Sequence, residues 1–343
     1  MRVSDEALKS GAADKTSARP RVGFLGVGWI GRHRMEAMLA TGAIEAAAYV
    51  DPFNDAAAEA AKLAPQATRS ASFDALLDLG LDAVVIATPS AAHAEQSIRA
   101  LERGVAVFCQ KPLGRSEAEV RAVIEAARQA DRLLAVDLSY RFTESARRIR
   151  DLIRSGDLGR VHAVDLVFHN AYGPDKPWFY DRALSGGGCV MDLGVHLVDL
   201  AFWMLEGDEV AEVVSHLSAG GEALSAPLDR TEDYAVATLV LKSGTVVRLA
   251  CSWRLQAGQD AVISASFYGT QGGAEMRNVG GSFYDFVAER FSGTSRSELA
   301  SPPDAWNVRA AADFAVRLAA GERFDPSVAA LARVAQALDR IYA

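Results

Sequence analysis

Cysteine is scarce in this chain. Its three thiols, Cys109, Cys189 and Cys251, stand far apart and form no metal-ligand spacing. Such sparse usage fits a reducing compartment, so a cytoplasmic location is expected. An excess of basic residues is also missing. The formal charge is −8, which argues against nucleic acid or an anionic membrane as a main partner. Residues 1–19 are polar and of mixed charge, with no apolar h-region. They read as a flexible tail and not as a secretory signal. No stretch reads as long and apolar enough to span a bilayer. Internal repeats and low-complexity tracts are absent too.

What is present is a globular composition. Half of the 343 residues are hydrophobic, and a chain this long suits about two domains at roughly 150 residues each. The first half alternates strand and helix patterns. Strands are expected at 21–28, 44–51, 82–89, 105–112 and 133–142, with helices at 31–41, 54–64, 93–104 and 116–132. Ser116 and Glu119 open the last of these as a capping box. Such alternation predicts a parallel sheet with helices on both faces, here a dinucleotide-binding domain over 20–142. The second half changes character. A helix near 144–154 stops at Gly156, and strand patterns follow at 161–169, 212–218, 233–242, 245–255, 260–269 and 273–278. An α+β domain over 143–343 with an open, mostly antiparallel sheet is expected. Residues 291–304 read as an exposed loop, and two helices near 305–320 and 327–342 close the chain.

Three features carry chemistry. "GVGWIG" places Gly26, Gly28 and Gly31 between a strand and a helix. That context suits a turn whose backbone approaches a pyrophosphate at a helix N-terminus. Asp51 ends the second strand about 20 residues later, where an acid binds ribose hydroxyls. No arginine follows it immediately, so NAD is favoured over NADP. Lys111 sits before Pro112 at the end of the fourth strand, on the side where open α/β sheets bind ligands. A plain surface lysine is the alternative. Finally, Asp192, His196 and Asp199 form a polar stripe at helical spacing within an apolar run. Two of them could ligate a metal, but no third His or Cys stands near in sequence, and no metal is expected.

In chain order, "GVGWIG", Asp51, "ATPSAAH" (87–93), "QKP" (110–112), "YRF" (140–142), "GDLG" (156–159) and "GGGCVMDLGVHLVD" (186–199) make a specific set. With it the chain resembles the glucose–fructose oxidoreductase/inositol dehydrogenase/MocA family of NAD(P)-dependent oxidoreductases, from about residue 21 to the C-terminus. The resemblance implies a Rossmann domain followed by a sheet domain whose bare face joins subunits into a homodimer or homotetramer. It places catalysis on Lys111, Asp192 and His196. Cofactor contacts are implied for Gly26, Gly28, Trp29, Ile30, Gly31 and Asp51, and for Thr88, Pro89, His93, Gln110 and Lys111. Two departures stand out. The family's usual Glu before Lys-Pro is Gln110, so Lys111 loses an anionic neighbour; and Trp178-Phe179 replaces a Trp-Arg pair before the glycine triplet.

The expected reaction is hydride transfer between a nicotinamide cofactor and a hydroxyl or carbonyl of a sugar, inositol or related polyol. His196 would take the proton and Lys111 hold the reacting oxygen, or the reverse. Asp192 would hold a neighbouring hydroxyl or fix the imidazole tautomer, and Asp199 would be a structural partner. Arg141, Tyr172 and Trp178 are candidate substrate contacts beside the catalytic three, with Tyr180 in the same loop. The competing readings are an NAD-dependent glycoside hydrolase and a non-catalytic dinucleotide sensor.

Overall fold

Strands that are buried on both faces read as unbroken apolar runs, and the first half of the chain is built on such runs. The computed structural model describes residues 19–206 and 208–343; apart from Arg19, the expected tail lies outside the described residues. The order is β1 (Arg21–Leu25), α1 (Trp29–Ala40), β2 (Glu45–Val50), α2 (Asn54–Leu63), β3 (Thr68–Arg69) and α3 (Phe73–Leu77). Then come β4 (Ala83–Ile86), α4 (Ser90–Glu102), β5 (Ala106–Cys109), α5 (Glu117–Ala130) and β6 (Leu134–Val136). They form a parallel sheet ordered β3-β2-β1-β4-β5-β6. In this Rossmann order the connection reverses between β1 and β4, which opens a crevice at their carboxyl ends. β3 and α3 carry too few residues to show a period, and sequence reasoning passes over them. The fifth strand is shorter than expected: it stops at Val136, and "YRF" lies in a 3₁₀ turn, Ser139–Phe142. At α5 the capping box is half made. Ser116 accepts from the Glu119 N–H, but Glu119 reaches the N–H of Arg115 instead of that of Ser116.

The second half opens with α6 (Glu144–Ser155), capped by Thr143 and ended by Gly156 at φ +81°. Next are β7 (Val161–Asn170), α7 (Arg182–Ser185), α8 (Val195–Leu205), β8 (Val210–Ala219), β9 (Glu222–Ala223), β10 (Tyr234–Leu241) and β11 (Val246–Ser252). β12 (Ala261–Gly269), β13 (Gly273–Asn278), β14 (Phe286–Ser292), β15 (Ser295–Ala300), α9 (Arg309–Ala319) and α10 (Ala330–Tyr342) complete the chain. Nine strands make one sheet, β15-β14-β13-β12-β7-β11-β10-β8-β9, antiparallel except for the β7–β11 pair. β14 and β15 form a hairpin where an exposed loop was expected. β15 is an exposed edge strand rich in serine and charge, so its composition mimics a loop.

The helical stretch Arg182–Leu205 runs 24 residues and is apolar enough to cross a membrane by length and composition, contrary to the sequence expectation. Most of it is buried inside the fold, as suits a core helix against a sheet. α9 and α10 return to the first domain. Phe314 of α9 packs against Phe108 of β5, with ring centroids 5.4 Å apart. Ala332 and Ala335 of α10 join the core on the opposite face of the first sheet.

Candidate active site

The glycine turn is shaped by sterics. Gly26 has φ +82°, and a Cβ there would lie 2.5 Å from the Ala87 carbonyl oxygen. A Cβ on Gly31 would fall 2.0 Å from the Gly26 oxygen, whereas one on Gly28 meets nothing within 4 Å. The backbone at Gly28 therefore faces open space at the start of α1, whose first N–H groups no side chain caps. That is a cradle for a pyrophosphate, and the residues present fit a dinucleotide. Asp51 braces the turn. Its Oδ2 accepts from Val27 N at 2.8 Å and its Oδ1 from Phe53 N at 2.9 Å. Each oxygen keeps a lone pair for a ribose hydroxyl. The fold also brings Arg69 of β3 to this corner, donating to the Asp51 carbonyl at 3.2 Å and to Asn54 Oδ1 at 2.9 Å. A cation thus stands beside Asp51 although none follows it in sequence.

At the carboxyl end of β4, Thr88 donates to Gln96 Oε1 at 2.6 Å. His93 is buried beneath the loops rather than set in the cleft. Its two ring nitrogens lie 2.7 Å from the Thr88 and Pro112 carbonyls. Burial lowers its pKa, and a neutral ring donates to one of the two carbonyls. Gln110 donates to Asp137 Oδ2 at 2.5 Å.

Lys111 and Asp192, 81 positions apart, meet. The Lys111 ammonium donates to Asp192 Oδ1 at 2.6 Å and to the Asp192 carbonyl at 2.7 Å. Lys111 therefore keeps an anionic partner despite Gln110. The other carboxylate oxygen of Asp192 accepts from Trp253 Nε1 at 3.1 Å. Of the two roles expected for Asp192, the contact to the imidazole is not made among the described residues. Both carboxylate oxygens of Asp192, which lies in the π-helical turn Val190–Gly194, are instead taken, Oδ1 by Lys111 and Oδ2 by Trp253. His196, at the first turn of α8, is buried, and no group among the described residues reaches its Nδ1. The Tyr140 ring lies 4.9 Å from the imidazole. Burial first, then the charges of Lys111 and Arg34, hold its pKa well below the ordinary histidine value.

Arg141, expected at the cleft, is engaged elsewhere. It clasps Asp199 with two hydrogen bonds, one of them Nε to Oδ2 at 2.6 Å. Asp199 is 1% exposed, so this pair fastens the turn after β6 to α8. Tyr172 is exposed and donates to Asp260. Trp178 stacks on Phe179 with centroids 3.8 Å apart, and Phe179 and Tyr180 both present edges to Trp253. An aromatic wall thus adjoins the Lys111–Asp192 pair.

Trp253, Arg69, Arg34, Asp137, Glu232 and Tyr342 escape the sequence reading. Only Trp253 carries a local signal, as a large aromatic just past the end of a strand. Glu232 accepts from the N–H groups of Gly188 and Val190, both at 2.9 Å, and from the Tyr342 hydroxyl at 2.8 Å. It anchors the glycine triplet from which Asp192 projects.

Two family models match the chain. Residues 20–138 match the oxidoreductase family with the NAD-binding Rossmann fold, and residues 146–275 match the GFO/IDH/MocA C-terminal domain. D-glucoside 3-dehydrogenase of Escherichia coli K12 is 28% identical over 212 residues, which span 59% of this chain and 60% of that protein's length. Among solved structures, levoglucosan dehydrogenase in complex with NADH and levoglucosan has a TM-score of 0.78 at 22% identity, over 94% of this chain and 96% of that one. A 3-ketoreductase from Actinomadura kijaniata, solved with NADP, has a TM-score of 0.79 at 22% identity, over 94% and 97%.

Proposed function

Because the chain belongs to the Gfo/Idh/MocA family of oxidoreductases, we propose that it oxidises or reduces one ring carbon of a sugar, inositol or related polyol with NAD(P). The observation that carries this reading is the Lys111–Asp192 pair standing with His196 at the carboxyl ends of the Rossmann strands. When bound, the dinucleotide supplies the hydride acceptor or donor. In the oxidative direction, neutral His196 takes the substrate hydroxyl proton. Lys111, fixed by Asp192, donates to the reacting oxygen and stabilises its developing negative charge. Trp253 and Lys111 together hold Asp192, and Asp192 in turn aims the ammonium. The exposed ring of Tyr180, packed edge-on against Trp253, offers an apolar face to the C–H face of a ring. The names of the relatives support a carbohydrate substrate.

The same reading makes the chain a homodimer or homotetramer through its nine-stranded sheet. The face turned away from α8 carries Val236, Ala250 and Val167 in one cross-strand row, flanked by His216 and Ser264. Half-exposed apolar rows of this kind suit a second copy. Three buried free thiols support a reducing compartment.

Absorbance of reduced cofactor, followed with purified protein, NAD or NADP and a panel of sugars and cyclitols, tests the reading. Turnover with one compound is expected. His196→Ala should lose about 10²–10⁴-fold in kcat with cofactor affinity kept, and Lys111→Ala should lose both rate and substrate affinity. Full turnover in His196→Ala removes it as the base.

A further inference from the structure

The corner beyond Asp51 holds an exposed arginine that pairs with no acid among the described residues. Arg69 closes β3 opposite Tyr49 of β2, and Ser70 N donates to the Tyr49 carbonyl at 2.9 Å. Two acceptors on the turn from β2 to α2 fix its guanidinium. Nη2 donates to the Asp51 carbonyl at 3.2 Å and to Asn54 Oδ1 at 2.9 Å. Among the described residues, the N–H groups on Nε and Nη1 meet no acceptor. Asn54 is exposed too, and its Nδ2 is a further donor. It is also the first residue of α2, whose N-cap is Phe53, a side chain with no acceptor. The first N–H groups of that ten-residue helix are therefore uncapped by any side chain.

Asp51 is set back from this surface. It is 8% exposed, and its oxygens take the N–H groups of Val27 and Phe53. An acid at the end of the second Rossmann strand meets the ribose hydroxyls of the adenosine half and repels a phosphate on the 2′-oxygen at close range. A nearby arginine accommodates that phosphate. Here the carboxylate charge is drawn inward onto backbone N–H groups, while the guanidinium stands exposed at the same corner with donors to spare. Asp51 still serves a free ribose hydroxyl, so NAD is retained. Asp55, in the first turn of α2, opposes a phosphate and limits the gain.

We infer that the chain takes NADP as well as NAD, and that Arg69, with Asn54 and the start of α2, is the site for the phosphate on the adenosine 2′-oxygen. The lack of an arginine just after Asp51 favours NAD in the sequence; the pairing of β3 to β2 brings one in from 18 positions on. The inference rests on the dinucleotide reading of the cleft and deepens it by naming the residue that sets which dinucleotide is accepted.

NAD⁺ and NADP⁺ differ only in that phosphate, so calorimetry with both, on wild type and Arg69→Gln, is the test. Arg69 is exposed, and the variant should fold. Wild type should bind NADP⁺ within about tenfold of NAD⁺, and the NADP⁺ affinity should fall more steeply with salt. Arg69→Gln should weaken NADP⁺ binding by about tenfold to a hundredfold, the usual effect of losing hydrogen bonds between charged groups, with NAD⁺ affinity unchanged. Wild-type NADP⁺ binding weaker than that of NAD⁺ by more than about tenfold would overturn the inference. So would a loss in Arg69→Gln no larger for NADP⁺ than for NAD⁺, which marks a structural role. A wild type that binds neither dinucleotide fails the dinucleotide reading, whereas one that binds NAD⁺ alone fails only the present inference.

Discussion

His196 is a histidine whose surroundings keep it uncharged. Burial and the positive charges of Lys111 and Arg34 all disfavour its protonated form. It is therefore ready to accept a proton at neutral pH, and the acid limb of kcat/KM should fall below the ordinary histidine value of about 6.5. A limb centred at or above that value would contradict the assignment. The same shift has a consequence for stability. His196 and His93 both have folded pKa values below the unfolded one. Their contribution is fully present above about pH 6.5 and is lost as pH falls, because the unfolded chain then binds more protons. Urea midpoints measured from pH 8 to 5.5 should decline below 6.5, and more shallowly in His93→Gln. At Trp253 the expectation concerns rate. Trp253→Phe keeps the ring but drops the donor to Asp192. A loss of about five- to tenfold in kcat/KM, near 1 kcal/mol, should appear. An unaltered kcat/KM would mean that Trp253 does not help to hold Asp192.

At the scale of elements, the π-helical turn Val190–Gly194 carries Asp192. It is held from behind by groups remote in sequence. Glu232 accepts the N–H groups of Gly188 and Val190, and Tyr342, the penultimate residue, receives the Met191 N–H at 3.1 Å while donating to Glu232. A Cβ on Gly188 would lie 1.9 Å from the Glu232 carbonyl oxygen, so only glycine fits there. Burial raises the Glu232 pKa, and its hydrogen bonds act in the opposite sense. Glu232→Ala leaves several buried donors unpaired. It should cost about 2–4 kcal/mol in denaturant unfolding and lower turnover by freeing the turn. Wild-type stability in that variant would show that the turn does not depend on this carboxylate.

The whole molecule is two sheets joined by a chain that returns. α9 and α10 are made after the second sheet yet complete both core faces of the first. The outer face of the second sheet is the surface on which assembly is proposed. Its row Val214–Thr238–Arg248–Asp165 combines an exposed valine with an Arg248–Asp165 ion pair that masks charge. Light scattering should find a dimer or tetramer, and Val236→Glu, which sets a charge into the apolar row, should give monomers. A wild-type monomer at micromolar concentration would refute the assembly.

Local order was legible in the sequence because its causes are local. Period-2 and period-3.6 patterns, the cap at Ser116, the stop at Gly156 and the steric demands at Gly26 and Gly31 all act within a few residues. They determined the alternating first half, the sheet-rich second half and the positions of Lys111, Asp192 and His196. Only the tertiary structure decided the partners. Lys111 takes Asp192 from 81 positions away, Arg141 takes Asp199 from 58, and Arg34 takes Asp137 from 103. Arg69 reaches the Asp51 corner across a strand pairing. The β14–β15 hairpin exists because pairing to β13 satisfies backbone groups whose side chains alone signal a loop. A charged group's partner is set by where the packed elements bring the backbone, and that is a property of the whole fold.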